Sequence, residues 1–220
     1  MSAMSELVVL RPLLRNCWPS LPALTVAAVL VSVAAVVPLV VSPGVNAVSV
    51  AVAVLVVGPA LAGLVATVAD VLDTGEVTMR EAVRAVGQHA GLGVRAAIVP
   101  AVFAELFLAA WQLWTQHDTA LLVPSLGLTG AATALSALLA AVVVTGGRAD
   151  VMAWRTAAAL VTLRPVRFLA VAAAAALAGW LVVAVSPVLL PLVPVPVAIV
   201  LVAAVRTTSA DLAAVTGSPE

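Results

Sequence analysis

The chain has 220 residues, of which 64% are hydrophobic and only 9% charged, with a mean hydropathy of +1.24. Soluble domains run at roughly 45–50% apolar and 25% charged, so an ordinary soluble globule is excluded. Ten arginines balance ten acidic residues, lysine is absent and there is one cysteine, which also excludes a nucleic-acid binder, a disordered chain and a disulfide scaffold.

The class that remains is an integral membrane protein. The pattern predicts an all-α polytopic transmembrane bundle of about six spans, with short cytoplasmic amphipathic helices. A helical span needs about 20 apolar residues to cross a hydrocarbon core of about 30 Å. No charge lies between Arg15 and Asp70, a run far too long for one span. It breaks at Ser42-Pro43-Gly44-Val45-Asn46, a turn signal, giving spans over 21–42 and 47–69. Arg11 and Arg15 precede the first, which exceeds the roughly 7–15 apolar residues of a cleavable signal core. It is read as an uncleaved span, and Cys17 at its inner rim as an inert thiol. Gly58-Pro59 falls near the middle of the second span, where proline removes a backbone hydrogen bond, and is a candidate hinge.

Asp70, Asp73 and Glu76 follow at spacings of three. Two carboxylates on one helix face could hold a divalent ion. Thr74-Gly75 is expected to end the helix first, so this is read as a solvated helix end, with no metal and no cofactor. Thr78 and Glu81 have the spacing of a capping box. Met79, Ala82, Val83, Val86 and Ala90 then recur at helical spacing, with Arg80, Arg84 and Gln88 on the other face. This predicts a cytoplasmic amphipathic helix over 78–95, suited to the membrane surface or a partner.

The third span covers 96–115 and carries Glu105, the one charge inside any span, with Gln112 on the same face. The fourth covers 120–146, where Ser125, Thr129 and Thr133 recur every four residues and Ser136 lies near the same stripe. In an antiparallel hairpin Thr133 would reach the depth of Glu105. A polar seam is expected there, either a proton- or cation-linked path or interhelical packing. A second cytoplasmic helix follows over 150–164, capped by Asp150, bearing Arg155 and Arg164, and ended by Pro165. The last uncharged run breaks at Ser186-Pro187 into spans over 168–185 and 188–205. Pro191, Pro194 and Pro196 make the final one irregular or re-entrant.

Six spans put four segments on one side. Those segments hold all ten arginines: two, three, four and one in chain order. The positive-inside rule then predicts a multi-pass inner-membrane protein with both termini cytoplasmic. Trp111, Trp114 and Trp180 fall near the outer boundary, Trp18 and Trp154 near the inner one, where indoles are enriched.

Gly58-Pro59-Ala60-Leu61-Ala62-Gly63-Leu64 leads into a short charged stretch with Glu76-Val77. An amphipathic helix and a span from about Ala96 follow, and Leu163-Arg164-Pro165-Val166-Arg167 opens another pair of spans. In this order the chain resembles the YesL-like family of bacterial membrane proteins. It departs from them at Val83, Val86 and His89, where the family carries aromatic residues. The family has no established activity, but its members often sit beside carbohydrate ABC-transport systems, so the resemblance implies a transport-associated role. Glu81-Ala82-Val83-Arg84-Ala85-Val86-Gly87, with Val99-Pro100 beyond, also resembles the coupling loop of ABC importer permeases. That resemblance implies a helix seated in a groove of an ATPase subunit. Val83 and Val99 replace the Ala and Leu of that loop.

The expected function is therefore non-enzymatic: a transport-associated accessory or small permease-like protein linked to carbohydrate ABC uptake. The expected partners are the lipid bilayer, ABC transporter subunits and a second copy of the chain, through Arg80, Arg84, Arg155 and Arg164; nucleic acid is not among them. Two alternatives differ in class. A small proton- or cation-linked transporter would use Glu105, and a metal-dependent membrane enzyme would use Asp70 and Asp73. His89 and His117 fall on opposite sides of the membrane in this topology, and no nucleophile motif or phosphate loop is present.

Overall fold

A computed structural model describes residues 18–44, 46–114, 121–146, 151–184 and 191–216. Arg11, Arg15, Cys17, His117, Asp118, Arg148, Asp150 and the Ser186-Pro187 break lie outside the described residues, as do the side chains of Trp114, Trp154 and Trp180. The described residues form eight helices and no strand: α1 (Leu21–Val41), α2 (Ala47–Thr74), α3 (Met79–Gln88), α4 (Ala90–Trp114), α5 (Leu122–Gly146), α6 (Val151–Leu163), α7 (Pro165–Ala184) and α8 (Pro194–Thr216).

The helix ends follow local chemistry. Gly44 takes a left-handed φ of 94° in the turn after α1, a conformation that suits glycine. Asn46 then caps α2 by accepting from the backbone N–H groups of Val48 and Ser49, while Ser49 Oγ accepts from Asn46 N–H at 3.0 Å. Gly75, at φ 82°, closes α2 through its N–H to the Val71 carbonyl at 3.1 Å, the usual left-handed C-terminal stop. Pro165 sits at the first position of α7, where its missing N–H costs nothing. It also turns Arg164 out of the helical region, so α6 and α7 meet at a bend of 98°.

The second half of α2 forms the centre of the bundle. Residues Ala62 to Ala69 are buried without interruption. The core continues through Leu24 and Val31 of α1, Leu138 and Val142 of α5, Leu160 of α6 and Val202 and Val205 of α8. In lipid the hydrophobic effect does not drive helices together, and close backbone approach through small residues takes its place. The alanines and glycines of α2 serve that purpose, and the larger apolar residues Val40, Val123 and Val166 point outward. Ser20, fully buried, ties the start of α1 to the end of α2: its Oγ accepts from Val77 N–H at 3.2 Å and donates to the Gly75 carbonyl at 3.5 Å.

Four helices are long and apolar enough to cross a membrane: Leu21–Val41, Ala47–Thr74, Ala90–Leu113 and Leu122–Thr145. The bent pair α6–α7 raises the number to five if it is one broken span. That is compatible with an integral membrane protein, and among the described residues four or five of the expected six spans are accounted for. α8 itself is 23 residues long, with an apolar part at Pro194–Ala210 and Arg206 in its second half. The expected helix over 78–95 is also interrupted. It ends at Gln88, the chain turns at His89, and α4 begins at Ala90.

Candidate functional site

A recess lies inside the bundle. A cavity of about 520 Å³ runs between α2, α4, α5, α7 and α8. On α2 its wall extends from Val50 to Val65, about 22 Å along the axis at 1.5 Å per residue. Ala96, Ala97, Pro100, Ala101 and Ala104 form the α4 wall, and Val197, Ala198 and Leu201 the α8 wall. Leu61 and Thr133, both exposed, stand at its rim, whereas Gly58, Ala62, Ala96, Ala140 and Ala198 form a buried floor.

A glycine contact closes this floor. A Cβ on Gly58 would come within 2.6 Å of the Gly93 carbonyl oxygen, and one on Gly93 would collide with the Gly58 carbonyl. Gly58 and Pro59 therefore mark a tight crossing of α2 over α4. Both are buried within one continuous helix. Gly93 was not marked by the sequence: one glycine among Gly91, Gly93 and many alanines gives no hint of which it crosses.

The polar groups of the cavity come from α5. Ser125, Thr129, Thr133 and Ser136 lie on one stripe, but only the last three line the cavity. Ser125, buried, donates to the Leu122 carbonyl at 2.9 Å. Thr129 Oγ1 lies 2.8 Å from both the Phe103 and the Ser125 carbonyls, so its single proton links α5 to α4. Thr133 donates back to the Thr129 carbonyl at 2.8 Å. Ser136, 5% exposed, has no partner for its Oγ. Leaving a buried hydroxyl unpaired costs about 1–3 kcal/mol.

Glu105 does not join this stripe. It is half-buried on α4 and lies off the cavity wall, which Ala101 and Ala104 supply. Its carboxylate makes no hydrogen bond or ion pair among the described residues. The expected Glu105–Thr133 pair is not formed, because Thr133 turns to its own helix and the α4–α5 bond is made by Thr129. Gln112 is exposed one stretch further along α4.

A second feature lies at the helix ends that carry the arginines. Thr78 Oγ accepts from Glu81 N–H at 3.3 Å, and Glu81 Oε2 accepts from Thr78 N–H at 2.7 Å. These bonds, the backbone one first and then the Thr78 hydroxyl, hold the Glu81 carboxyl below its ordinary value. Ala82 and Ala85 of α3 are buried. A Cβ on Gly63 would lie 2.5 Å from Val86 Cγ2 and 2.6 Å from its Cα, so α3 is seated directly on α2. Its outward side exposes Arg80, Arg84, Met79 and Val83. The expected single apolar face is thus divided: Ala82 and Val86 turn inward while Met79 and Val83, each 52% exposed, turn outward.

Arg155 and Arg164 are exposed at α6 and at the bend after it. Asp73, read as solvated, is paired with Arg206: the Nη2 atom lies 2.8 Å from Asp73 Oδ2 and donates to the Ala69 carbonyl at 3.0 Å. Arg206 is the one basic residue of the last 50. Its isolation was the only sequence signal for this tie between α8 and α2. No cluster of three metal-ligating groups occurs among the described residues. Comparison with protein-family models, with curated proteins and with solved structures gave no match.

Proposed function

We propose that this chain is a non-enzymatic, transport-associated component of a bacterial inner membrane. In this reading it is an accessory or small permease-like protein linked to carbohydrate ABC uptake. The observation that carries the reading is the geometry of α3. A ten-residue helix is capped by its own Thr78–Glu81 box and seated on α2 through Gly63. It presents Arg80, Arg84, Met79 and Val83 to the outside. Such a helix keeps its shape without a partner and loses little entropy when one binds. Basic and apolar groups in alternation suit a protein groove with an acidic rim. The resemblances to the YesL-like family and to the permease coupling loop supply the partner class, the ATPase subunit of an ABC importer.

Co-purification in mild detergent tests this. The wild-type protein is expected to retain an ABC ATPase subunit. The double variant Arg80→Glu/Arg84→Glu is expected to lose it while still inserting in the membrane. Retention by the double variant, or binding only to anionic liposomes by the wild type, would remove the docking role.

A second reading, a proton- or cation-linked small transporter, is favoured by one observation: Glu105 is an intramembrane carboxyl with no partner among the described residues. Ionisable groups in spans are costly and are concentrated in functional positions.

A further inference from the structure

The cavity among α2, α4, α5, α7 and α8 combines three properties. It is long, about 22 Å on its α2 wall, which is most of a hydrocarbon core of about 30 Å. It is walled almost wholly by alanine, valine, leucine and proline. Among the described residues, its one buried polar side-chain atom without a partner is Ser136 Oγ.

Each property restricts the occupant. A volume of about 520 Å³ falls in the usual range of small-molecule sites, about 300–1,000 Å³. The length and narrowness select an elongated molecule over a compact one such as a sugar. The hydrocarbon wall rejects water, which needs two to four polar partners to remain in a cavity. The exposed rim at Leu61 and Thr133 opens the slot sideways, so entry is from the lipid.

Ser136 then separates lipids from one another. It lies about 21 Å along α5 from Leu122 and about 15 Å from Gly146, close to mid-depth. A phospholipid chain in the slot would present only methylenes there, because its ester oxygens stay outside the hydrocarbon core of about 30 Å. The Ser136 hydroxyl is a free donor, whereas Thr129 and Thr133 have committed their protons to carbonyls. The matching ligand group is an acceptor oxygen carried deep into the membrane.

We propose that the slot is a binding site for an elongated lipophile bearing a carbonyl oxygen, of the alkyl- or isoprenyl-quinone type. The tail lies along α2 between Val50 and Val65, and the carbonyl accepts from Ser136. The site does not depend on the docking role of α3, and the two stand or fall separately.

Native mass spectrometry of the purified full chain in detergent tests it. The probes are a decyl-substituted benzoquinone and decylbenzene, which shares the ring and tail but lacks the carbonyls. The wild type is expected to form a saturable one-to-one adduct with the quinone. Ser136→Ala should weaken the quinone adduct about fivefold, the ratio equivalent to one hydrogen bond of about 1 kcal/mol, and leave decylbenzene unchanged. Ala104→Phe on one wall and Ala53→Phe on the other should each abolish both adducts, so the site is tested even where one of them misfolds. Val123→Phe, on the lipid-facing side of α5, should alter neither. Absence of a saturable adduct in the wild type would overturn the proposal. So would equal quinone binding by wild type and Ser136→Ala, or equal losses in Val123→Phe and the two filling variants.

Discussion

Single residues decide whether two helices can touch. At Gly93 an added methyl meets the backbone of α2, whereas at Gly127 and Gly130 it meets nothing within 4 Å. Gly93→Ala is therefore expected to lower thermal stability in detergent by about 1–3 kcal/mol, the usual cost of overpacking. Gly127→Ala should be neutral or stabilising by up to about 1 kcal/mol through helix propensity. Equal effects at the two sites, read as melting temperatures, would refute the tight crossing. Glu105 gives a second contrast. It has no partner among the described residues, and a carboxyl at a span centre costs about 2.5–3.5 kcal/mol on insertion scales. Glu105→Leu is therefore expected to raise the melting temperature, and Glu105→Gln to leave it unchanged. If the proton-linked reading is right, Gln also abolishes transport in a folded protein; if Gln is silent in both measurements, Glu105 is only a tolerated charge.

At the scale of elements, the stability of α3 depends on an ionised group, the Glu81 carboxylate of its cap. The Glu81 carboxyl is held below its ordinary value by Thr78. A lowered folded-state value means the stabilisation is present above the ordinary carboxylate range and is lost as pH falls through the folded value. Hydrogen exchange at the amides of Glu81 and Ala82 is expected to stay slow through the ordinary range and to quicken only below it. Thr78→Ala should quicken it at neutral pH, as loss of a cap costs about 0.5–2 kcal/mol. Exchange that begins to quicken well above the ordinary value would show that the box is not formed. The turn at Ser42–Asn46, the stop at Gly75, the box at Thr78 and the break at Pro165 were all legible in the sequence, because each depends on residues within one or two turns of helix. The limits of α3 were less so. Gly87-Gln88-His89 carries no strong stop, yet the helix ends there, with the His89 N–H bonded to the Ala85 carbonyl and the ring Nδ1 3.0 Å from it.

Across the whole molecule, the all-helical and strongly apolar character was legible from composition. A charge-free run marks where a span can lie, but not where its helix starts: after Pro191 the last one begins at Pro194. Long-range partners were equally hidden. Thr129 with Phe103, Arg206 with Asp73 and Gly58 with Gly93 join residues 26 to 133 positions apart, and no local pattern selects them. The Glu105–Thr133 seam was inferred from matching depths alone, whereas the α4–α5 hydrogen bond is made by Thr129 to the Phe103 carbonyl. The proposed role of the outward-facing α3 is docking to a transport ATPase. The most direct measurement is photo-crosslinking in living cells with a benzophenone amino acid placed at Val83, and at Leu169 on α7 as a more exposed control. The account predicts an adduct with an ABC ATPase subunit from Val83 alone. Crosslinks from Val83 only to lipid, or the same protein adduct from Leu169, would contradict it.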